Sequence, residues 1–288
     1  MTYSHYWDEL MGVLPPINTE RVADYIVKRL RWYVTVYAGK KSGIVGVSGG
    51  VDSAVTAVLT ARALGPENTF LYILPSYSTP EEDIEDARFV IEFLKIPDEN
   101  WEMIDVDPIV EALENQLGGM TKVERGNATA RVRMIILHQR AYRHNGLVIG
   151  TGDKSELLIG YFTKYGDGGV DVMPIGGLYK THVRQMAKYL GFPDRIAYKP
   201  SSPRLWPGQT AEGELGISYE ILDQVLYLRF EKMLKEEQIS EILGLKLDTV
   251  KMIIKRVKTT QHKRLPPEVF HIGMRDLGSD WRYPREWF

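Results

Sequence analysis

Residues 43–53 read Gly43-Ile44-Val45-Gly46-Val47-Ser48-Gly49-Gly50-Val51-Asp52-Ser53, and this stretch decides the fold. Its first half is a short apolar run of the kind that forms a buried strand. Its second half bends at two adjacent glycines and enters an alanine- and valine-rich segment, Val51 to Leu64, that reads as a helix. A strand that becomes a helix through such a bend aims unpaired N–H groups and a positive dipole end at the turn. Ser48 and Ser53 add hydroxyl donors, so a phosphate or pyrophosphate is the natural occupant. Asp52 would repel a phosphate unless a cation lay between them, so it points to a divalent metal, magnesium, bridging carboxylate and phosphate oxygens. The plainer alternative is a tight turn capped by serine and aspartate. No Walker pattern is present. A dinucleotide fingerprint also fails, because Gly150-Thr151-Gly152-Asp153-Lys154-Ser155 has serine where the third glycine belongs.

Outward from this turn, apolar runs alternate with longer amphipathic segments. Helices are expected over residues 18–37, 51–64, 80–94 and 122–144, and strands over 43–47, 69–74, 101–106 and 147–150. Alternation of this kind implies an α/β fold, a doubly wound parallel sheet covered by helices on both faces. Residues 160–177 are glycine-rich, and 199–216 are rich in proline, serine and glycine. Both read as long loops, which in a compact domain are functional or disordered. From residue 218 to about 258 the pattern is helical, a C-terminal extension. The expected organisation is a single domain, with a nucleotide-binding core over 18–200, an active-site loop over 199–216, and a helical hairpin and tail over 217–288.

Composition removes whole classes of function. Among 288 residues there is no cysteine, which excludes a disulfide, a thiolate zinc site, a cysteine nucleophile and a cysteine-dependent glutaminase within this stretch. With 36 basic against 38 acidic residues the net charge is −2, which argues against coating nucleic acid or an anionic membrane by bulk charge. The first residues carry no secretory pattern. The least charged stretch, 42–61, holds Asp52 and four glycines and is poor as a membrane span. The expectation is a cytoplasmic enzyme with no membrane or nucleic-acid partner. The six histidines are scattered, without metal spacing.

Ser48-Gly49-Gly50-Val51-Asp52-Ser53 resembles the pyrophosphate-binding loop of the ATP pyrophosphatases, which cleave ATP between the α- and β-phosphates. That superfamily includes synthetases of NAD, GMP, asparagine and argininosuccinate, and several tRNA-modifying enzymes. It carries the adenine-nucleotide alpha-hydrolase-like form of the parallel sheet. Residues 150–156, 160–167, 171–180 and 208–216, with His262 and Lys263, resemble the ammonia-dependent NAD synthetases, and the likeness spans nearly the whole chain. One departure is Val51, where many family loops have glutamine. The resemblance implies that residues 46–53 (Gly46, Val47, Ser48, Gly49, Gly50, Val51, Asp52, Ser53) bind ATP together with Thr151, Lys180 and Ser202. It implies that Asp52 and Glu156 hold magnesium, that Asp52 and Lys180 serve catalysis with Lys180 over the phosphates, and that Arg131, Lys164, Asp171, His262 and Lys263 hold deamido-NAD. The implied reaction converts deamido-NAD, ATP and ammonia into NAD, AMP and pyrophosphate through an acyl adenylate, in a homodimer. The aromatic tail (Trp281, Tyr283, Trp287, Phe288) would be a docking surface or a cover for its own domain.

Read singly, these residues keep simpler meanings. Glu156 is also a helix N-terminal acid favoured by the dipole, Lys180 a solvated lysine, Arg131 part of a basic face with Arg125, Arg133 and Arg140, and His262 a surface histidine. The ATP-contacting hydroxyl is Ser202 or, with a shifted register, Ser201. Residues 236–257 have helix-turn-helix spacing, with Lys251, Lys255, Arg256 and Lys258 available to phosphates. A structural hairpin has the same spacing. The competing functions are therefore another ATP pyrophosphatase, GMP-forming or tRNA-modifying, and a nucleotide-binding regulator.

Overall fold

The computed structural model describes residues 13–270 and residue 272. Four strands, β1 (Ser42–Gly46), β2 (Thr69–Ile73), β3 (Trp101–Met103) and β4 (Gly146–Val148), form one parallel sheet in the order β3-β2-β1-β4. Ile44 lies opposite Phe70 on one side and Val148 on the other, and Leu71 lies opposite Trp101. The chain winds outward from β1 to β3 and then returns to the far side of β1 with β4. The crevice where the order reverses, at the carboxyl ends of β1 and β4, is where open α/β sheets take their ligands.

Successive residues of the strands feed two cores. Val45, Leu71 and Ile73 face one cluster, and Ile44, Tyr72 and Val148 the other, so both faces of the sheet are buried. On the first face lie α1 (Thr19–Trp32), α2 (Val51–Leu64) and α3 (Glu81–Phe93). Asn18 caps α1 by accepting from Arg21 N–H at 3.0 Å, as its sequence position suggests. Helix α2 is nearly enclosed, which explains its run of Ala, Val and Thr. On the second face lie α4 (Asp107–Leu117) and α5 (Lys122–Arg143), the latter started by a reciprocal Thr121–Glu124 capping box.

The chain then forms α6 (Lys154–Ile159), α7 (Lys180–Tyr189), α8 (Asp194–Ala197) and α9 (Ala211–Leu215). The helical extension comprises α10 (Tyr219–Phe230), α11 (Glu236–Leu243) and α12 (Leu247–Thr259). Leu222, Leu226, Ile239, Val250 and Ile254 bury a separate core that also takes Ile159 and Tyr179 from α6 and the start of α7. The 236–257 hairpin thus spends its apolar stripe on packing within the chain.

Three expectations are corrected. The third strand ends at Met103 rather than Val106, because Pro75 opposite it has a carbonyl for Val106 N–H (3.1 Å) but no N–H to return. Helices α4 and α7 were not anticipated. The 199–216 loop contains α9, one short helix started by Thr210. The aromatic tail lies outside the described residues.

Candidate active site

A cavity of about 510 Å³ opens at the carboxyl ends of the strands. The turn after β1 forms part of its wall, and Gly150 and Thr151, just past β4, another part. Residues 47–53 are shaped by their own hydroxyls. Ser48 N–H donates to Ser53 Oγ at 3.1 Å, the two hydroxyls lie 3.2 Å apart, and Ser53 Oγ donates to Gly50 O at 3.0 Å. Gly49, at φ +76°, presses its α-carbon against α3, where an added Cβ would stand 2.1 Å from Asp83 O. Only glycine fits there.

Beneath the turn, charges converge. Lys180 Nζ lies 2.6 Å from Asp52 Oδ2, 2.8 Å from Glu156 Oε1 and 3.0 Å from Asp153 Oδ2. Asp52 and Glu156 reach the cavity, whereas Lys180 and Asp153 are fully buried behind them. Asp153 owes its place to capping α6, its Oδ1 accepting from Glu156 N–H at 2.8 Å. Burial pushes Glu156 well above the usual carboxylate range, with Lys180 opposing, and raises Asp153 in the same way. Burial works against the Lys180 charge too, but Asp153, Asp52 and Glu156 outweigh it and hold the ammonium well above the ordinary lysine value. Lys180 is thus fully buried beside the turn and pinned by three carboxylates.

This cluster fits a divalent cation. Three carboxylates face one ammonium, and Asp52 Oδ1 is buried without a hydrogen-bond partner among the described residues. Among those residues no group of three or more His, Cys, Asp or Glu side chains is placed to hold a metal ion, so the fit rests on the Asp52 and Glu156 pair that reaches the cavity. Magnesium suits such a pair, since it takes one or two carboxylates and completes its shell with phosphate oxygens and water.

The 199–216 loop roofs the cavity. Lys199 Nζ bridges Asp83 Oδ1 (2.6 Å) and Asp86 Oδ2 (2.7 Å), and Arg204 Nε meets Asp83 Oδ2 at 2.7 Å. Ser202 Oγ is spent inside the loop, donating to Gln209 O at 2.6 Å and accepting from Arg204 N–H at 3.1 Å. Ser201 Oγ is buried at the cavity wall with no partner among the described residues. Of the adjacent serines, Ser201 has the free hydroxyl.

The five residues implied for the acceptor divide. Arg131 Nη2 donates to Lys164 O at 3.4 Å, and Lys164 Nζ donates to His262 O at 2.8 Å, an exposed chain beside the cavity. Lys263 next to it lines the cavity and donates to Gly160 O at 2.5 Å; burial lowers its pKa. Asp171 stands apart from the cavity lining. Its carboxylate accepts from Val148 N–H at 2.7 Å, stitching the glycine-rich loop to the edge of β4, where Val172 pairs with Ile149.

Sequence reasoning missed several groups. Arg133, not Arg131, is the α5 arginine that lines the cavity, held by Leu74 O at 2.9 Å. Its spacing of three and four from Ala130 and Leu137, which line the same wall, was the available signal. Asp153 was legible as Asp-x-x-Glu before an apolar run. Asp167, also on the wall and pushed up by burial, accepts from Thr163 N–H at 2.7 Å. Arg256 of the helical hairpin donates to Ile159 O at 3.2 Å and lines the cavity.

Residues 22–267 match the family model described as NAD synthase. The chain is similar to the NH(3)-dependent NAD(+) synthetase of Saccharolobus solfataricus, 54% identical over 271 residues, covering 94% of this chain and 96% of that one. Among solved structures it resembles the NMN synthetase from Francisella tularensis (31% identity, TM-score 0.74, 89% of this chain and 100% of that chain). It also resembles the NH3-dependent NAD synthetase from Campylobacter jejuni in complex with nitrate (29% identity, TM-score 0.71, 92% and 99%).

Proposed function

The chain belongs to the NAD synthase family, and on that footing we propose how its residues carry the family reaction, the ATP-dependent amidation of deamido-NAD with ammonia. The observation that carries the reading is the meeting of Asp52, in the first turn of α2, with Glu156, in the first turn of α6, on one ammonium at the wall of the cavity.

Residues 46–53 cradle the ATP phosphates with backbone N–H groups and the dipole of α2. Asp52 and Glu156 would hold magnesium, which when bound neutralises charge on the pyrophosphate. Lys180 keeps those two carboxylates together and supplies positive charge beneath the turn. Thr151 and Ser201, which both line the cavity, contact ATP. In this role Ser201 replaces Ser202, because its hydroxyl is the uncommitted one. The acceptor carboxylate attacks the α-phosphorus, the bond to the β-phosphate bridging oxygen breaks, and an acyl adenylate forms. Ammonia then attacks the carbonyl and AMP leaves. Positioning and charge neutralisation suffice, and no protein nucleophile is required.

Arg131, Lys164, His262 and Lys263 form the acceptor-binding rim, with Arg133 and Lys263 aimed at the cavity itself. Asp171 serves the acceptor through the loop it anchors. The 199–216 segment is a lid that keeps water from the adenylate. We take the assembly to be a homodimer. Leu117 on α4 and Val123, Ile135 and Tyr142 on α5, all exposed, offer it an apolar surface. No helix among the described residues is long and apolar enough to cross a membrane; we take the setting to be cytoplasmic, as the metabolic reaction suggests.

A mononucleotide acceptor is the second reading, favoured by the likeness to the Francisella NMN synthetase. The test incubates protein with ATP, magnesium, ammonium and either deamido-NAD or nicotinic acid mononucleotide. NAD and AMP from the dinucleotide are expected. Formation of ADP overturns α–β cleavage, and turnover of the mononucleotide alone overturns the acceptor.

A further inference from the structure

Behind the charged cluster lies a polar layer that does not reach the cavity. Asp223, on α10 of the helical extension, is completely buried. Its carboxylate takes three hydrogen bonds. Ser155 Oγ donates to Oδ1 at 2.5 Å, and Thr181 N–H and Oγ both donate to Oδ2 at 2.9 Å. Ser155 Oγ in turn accepts from Lys180 N–H at 2.9 Å. Ser155 immediately precedes Glu156, and Thr181 immediately follows Lys180. One carboxylate therefore ties together the first turns of α6 and α7, the two helix starts that present Asp153, Glu156 and Lys180. One turn earlier on α10, the Tyr219 ring centroid lies 5.1 Å from Lys180 Nζ, so the same helix backs the cluster at a second point.

Packing alone does not call for a carboxylate here. Leu222, Val225 and Leu226 bury α10 without a polar atom, and no ion pair to Asp223 occurs among the described residues. A buried carboxylate lacking a cation partner is expensive, and its three accepted bonds are what offset that cost. Outer-layer groups of this kind set the orientation of charged ligands at metal and phosphate sites.

We infer that Asp223 is a positioning residue for the reaction: by clamping the starts of α6 and α7 it fixes Lys180 against Glu156 under the phosphate turn, and through it the helical extension becomes part of the catalytic apparatus. The inference rests on the reading of that cluster as the phosphate and metal site. It predicts a defect confined to the MgATP half of the reaction.

The experiment compares Asp223→Ala, Asp223→Asn and Ser155→Ala with Gln224→Ala, a control on the same helix whose amide donates to Glu220 O. Calorimetric MgATP affinity, the magnesium concentration for half-activation, KM for each substrate and melting temperature are measured. Asp223→Ala is expected to weaken MgATP binding about tenfold or more and to raise half-activating magnesium by a similar factor. KM for deamido-NAD stays within about twofold. Asn keeps an acceptor for Thr181, and the Ser155 hydroxyl can turn to accept from its amide, so Asp223→Asn recovers most of the affinity. Ser155→Ala falls between, and Gln224→Ala matches the wild type. The inference is overturned if Asp223→Ala lowers only the melting temperature, or if Asn is as defective as Ala toward MgATP while melting like the wild type. Should the alanine variant fail to fold, Ser155→Ala decides, and an unchanged magnesium requirement at a near-wild-type melting temperature overturns the inference. A wild-type protein that binds MgATP yet makes no AMP from deamido-NAD instead refutes the proposed reaction, while the calorimetric comparison still reads Asp223.

Discussion

Gly49 and Asp52 show how few atoms the phosphate turn has to spare. A methyl group at residue 49 would lie 2.1 Å from Asp83 O and would sit at φ +76°, so Gly49→Ala must move main chain at the turn or at the start of α3. A left-handed alanine costs about 1 kcal/mol by itself, and the displaced backbone adds to it. We expect Gly49→Ala to fold with a melting temperature a few degrees lower and to lose at least tenfold in kcat/KM for ATP; unimpaired ATP kinetics would contradict the cradle. Asp52→Asn makes a different demand. Lys180 keeps Asp153 and Glu156 as partners, so the fold survives, but the Oδ1 atom now unpartnered loses its charge. Turnover should drop about a hundredfold or more, and raising magnesium should recover part of it. Wild-type activity of this variant at low magnesium would remove Asp52 from the metal site.

At the scale of elements, the 199–216 loop is held by ions at its start, through Lys199 and Arg204, and by apolar packing of Ala211 and Leu215 at its end. Lys199 and Arg204 share the buried Asp83 at the start of α3, the same residue whose carbonyl touches Gly49. Lid and phosphate turn thus bear on one short stretch of chain. Arg204→Ala removes one arm of this latch, and the loop should admit water to the adenylate. The expected sign is an AMP:NAD ratio above one, which high salt should reproduce in part in the wild type, because the Arg204 pair is partly exposed and screened. A ratio held at one would mean that the loop does not guard the intermediate. What was readable in the sequence follows the same physics. Helix α2 and strand β1 declared themselves because local propensity and burial agree along them. Helix α7 did not, because its apolar stripe, Val183, Met186 and Ala187 with Leu190 at the C-cap, is short and its start buries the polar Lys180, Thr181, His182 and Arg184 as well. Helix α4 does carry an apolar stripe, Ile109, Val110, Leu113 and Leu117 on one face, but only Val110 of it is buried, so the signal was present in the sequence and was passed over. In the site, the turn was legible from spacing, and the Asp52–Glu156 pair only from the family resemblance. The depth of Lys180 and the Asp223 clamp depend on contacts between distant segments and leave no local signal, whereas the inward Arg133 left only its helical spacing from Ala130 and Leu137.

For the molecule as a whole, the buried carboxylates make stability a function of pH, and Asp223 isolates one term. Burial pushes it up to about 7, against the hydrogen bonds from Ser155 and Thr181 that pull it down. Its unfolded value is that of an ordinary aspartate, near 3.9. Between those two values the native protein holds a proton that the unfolded chain has lost, so stability falls as pH rises through that window. At about 1.4 kcal/mol per pH unit, the fall across the window is at most about 4 kcal/mol. Asp153 and Glu156 are also raised and would blur a wild-type profile read alone. Asp223→Asn cannot titrate at this position, so the difference between the two proteins separates it from the rest. Denaturant midpoints at pH 5, 6, 7 and 8 should find the wild type losing ground steadily to the asparagine variant, with most of the change complete by pH 8. Parallel profiles would mean that Asp223 is already ionised in the native protein at pH 5, its three accepted hydrogen bonds having fully offset its burial.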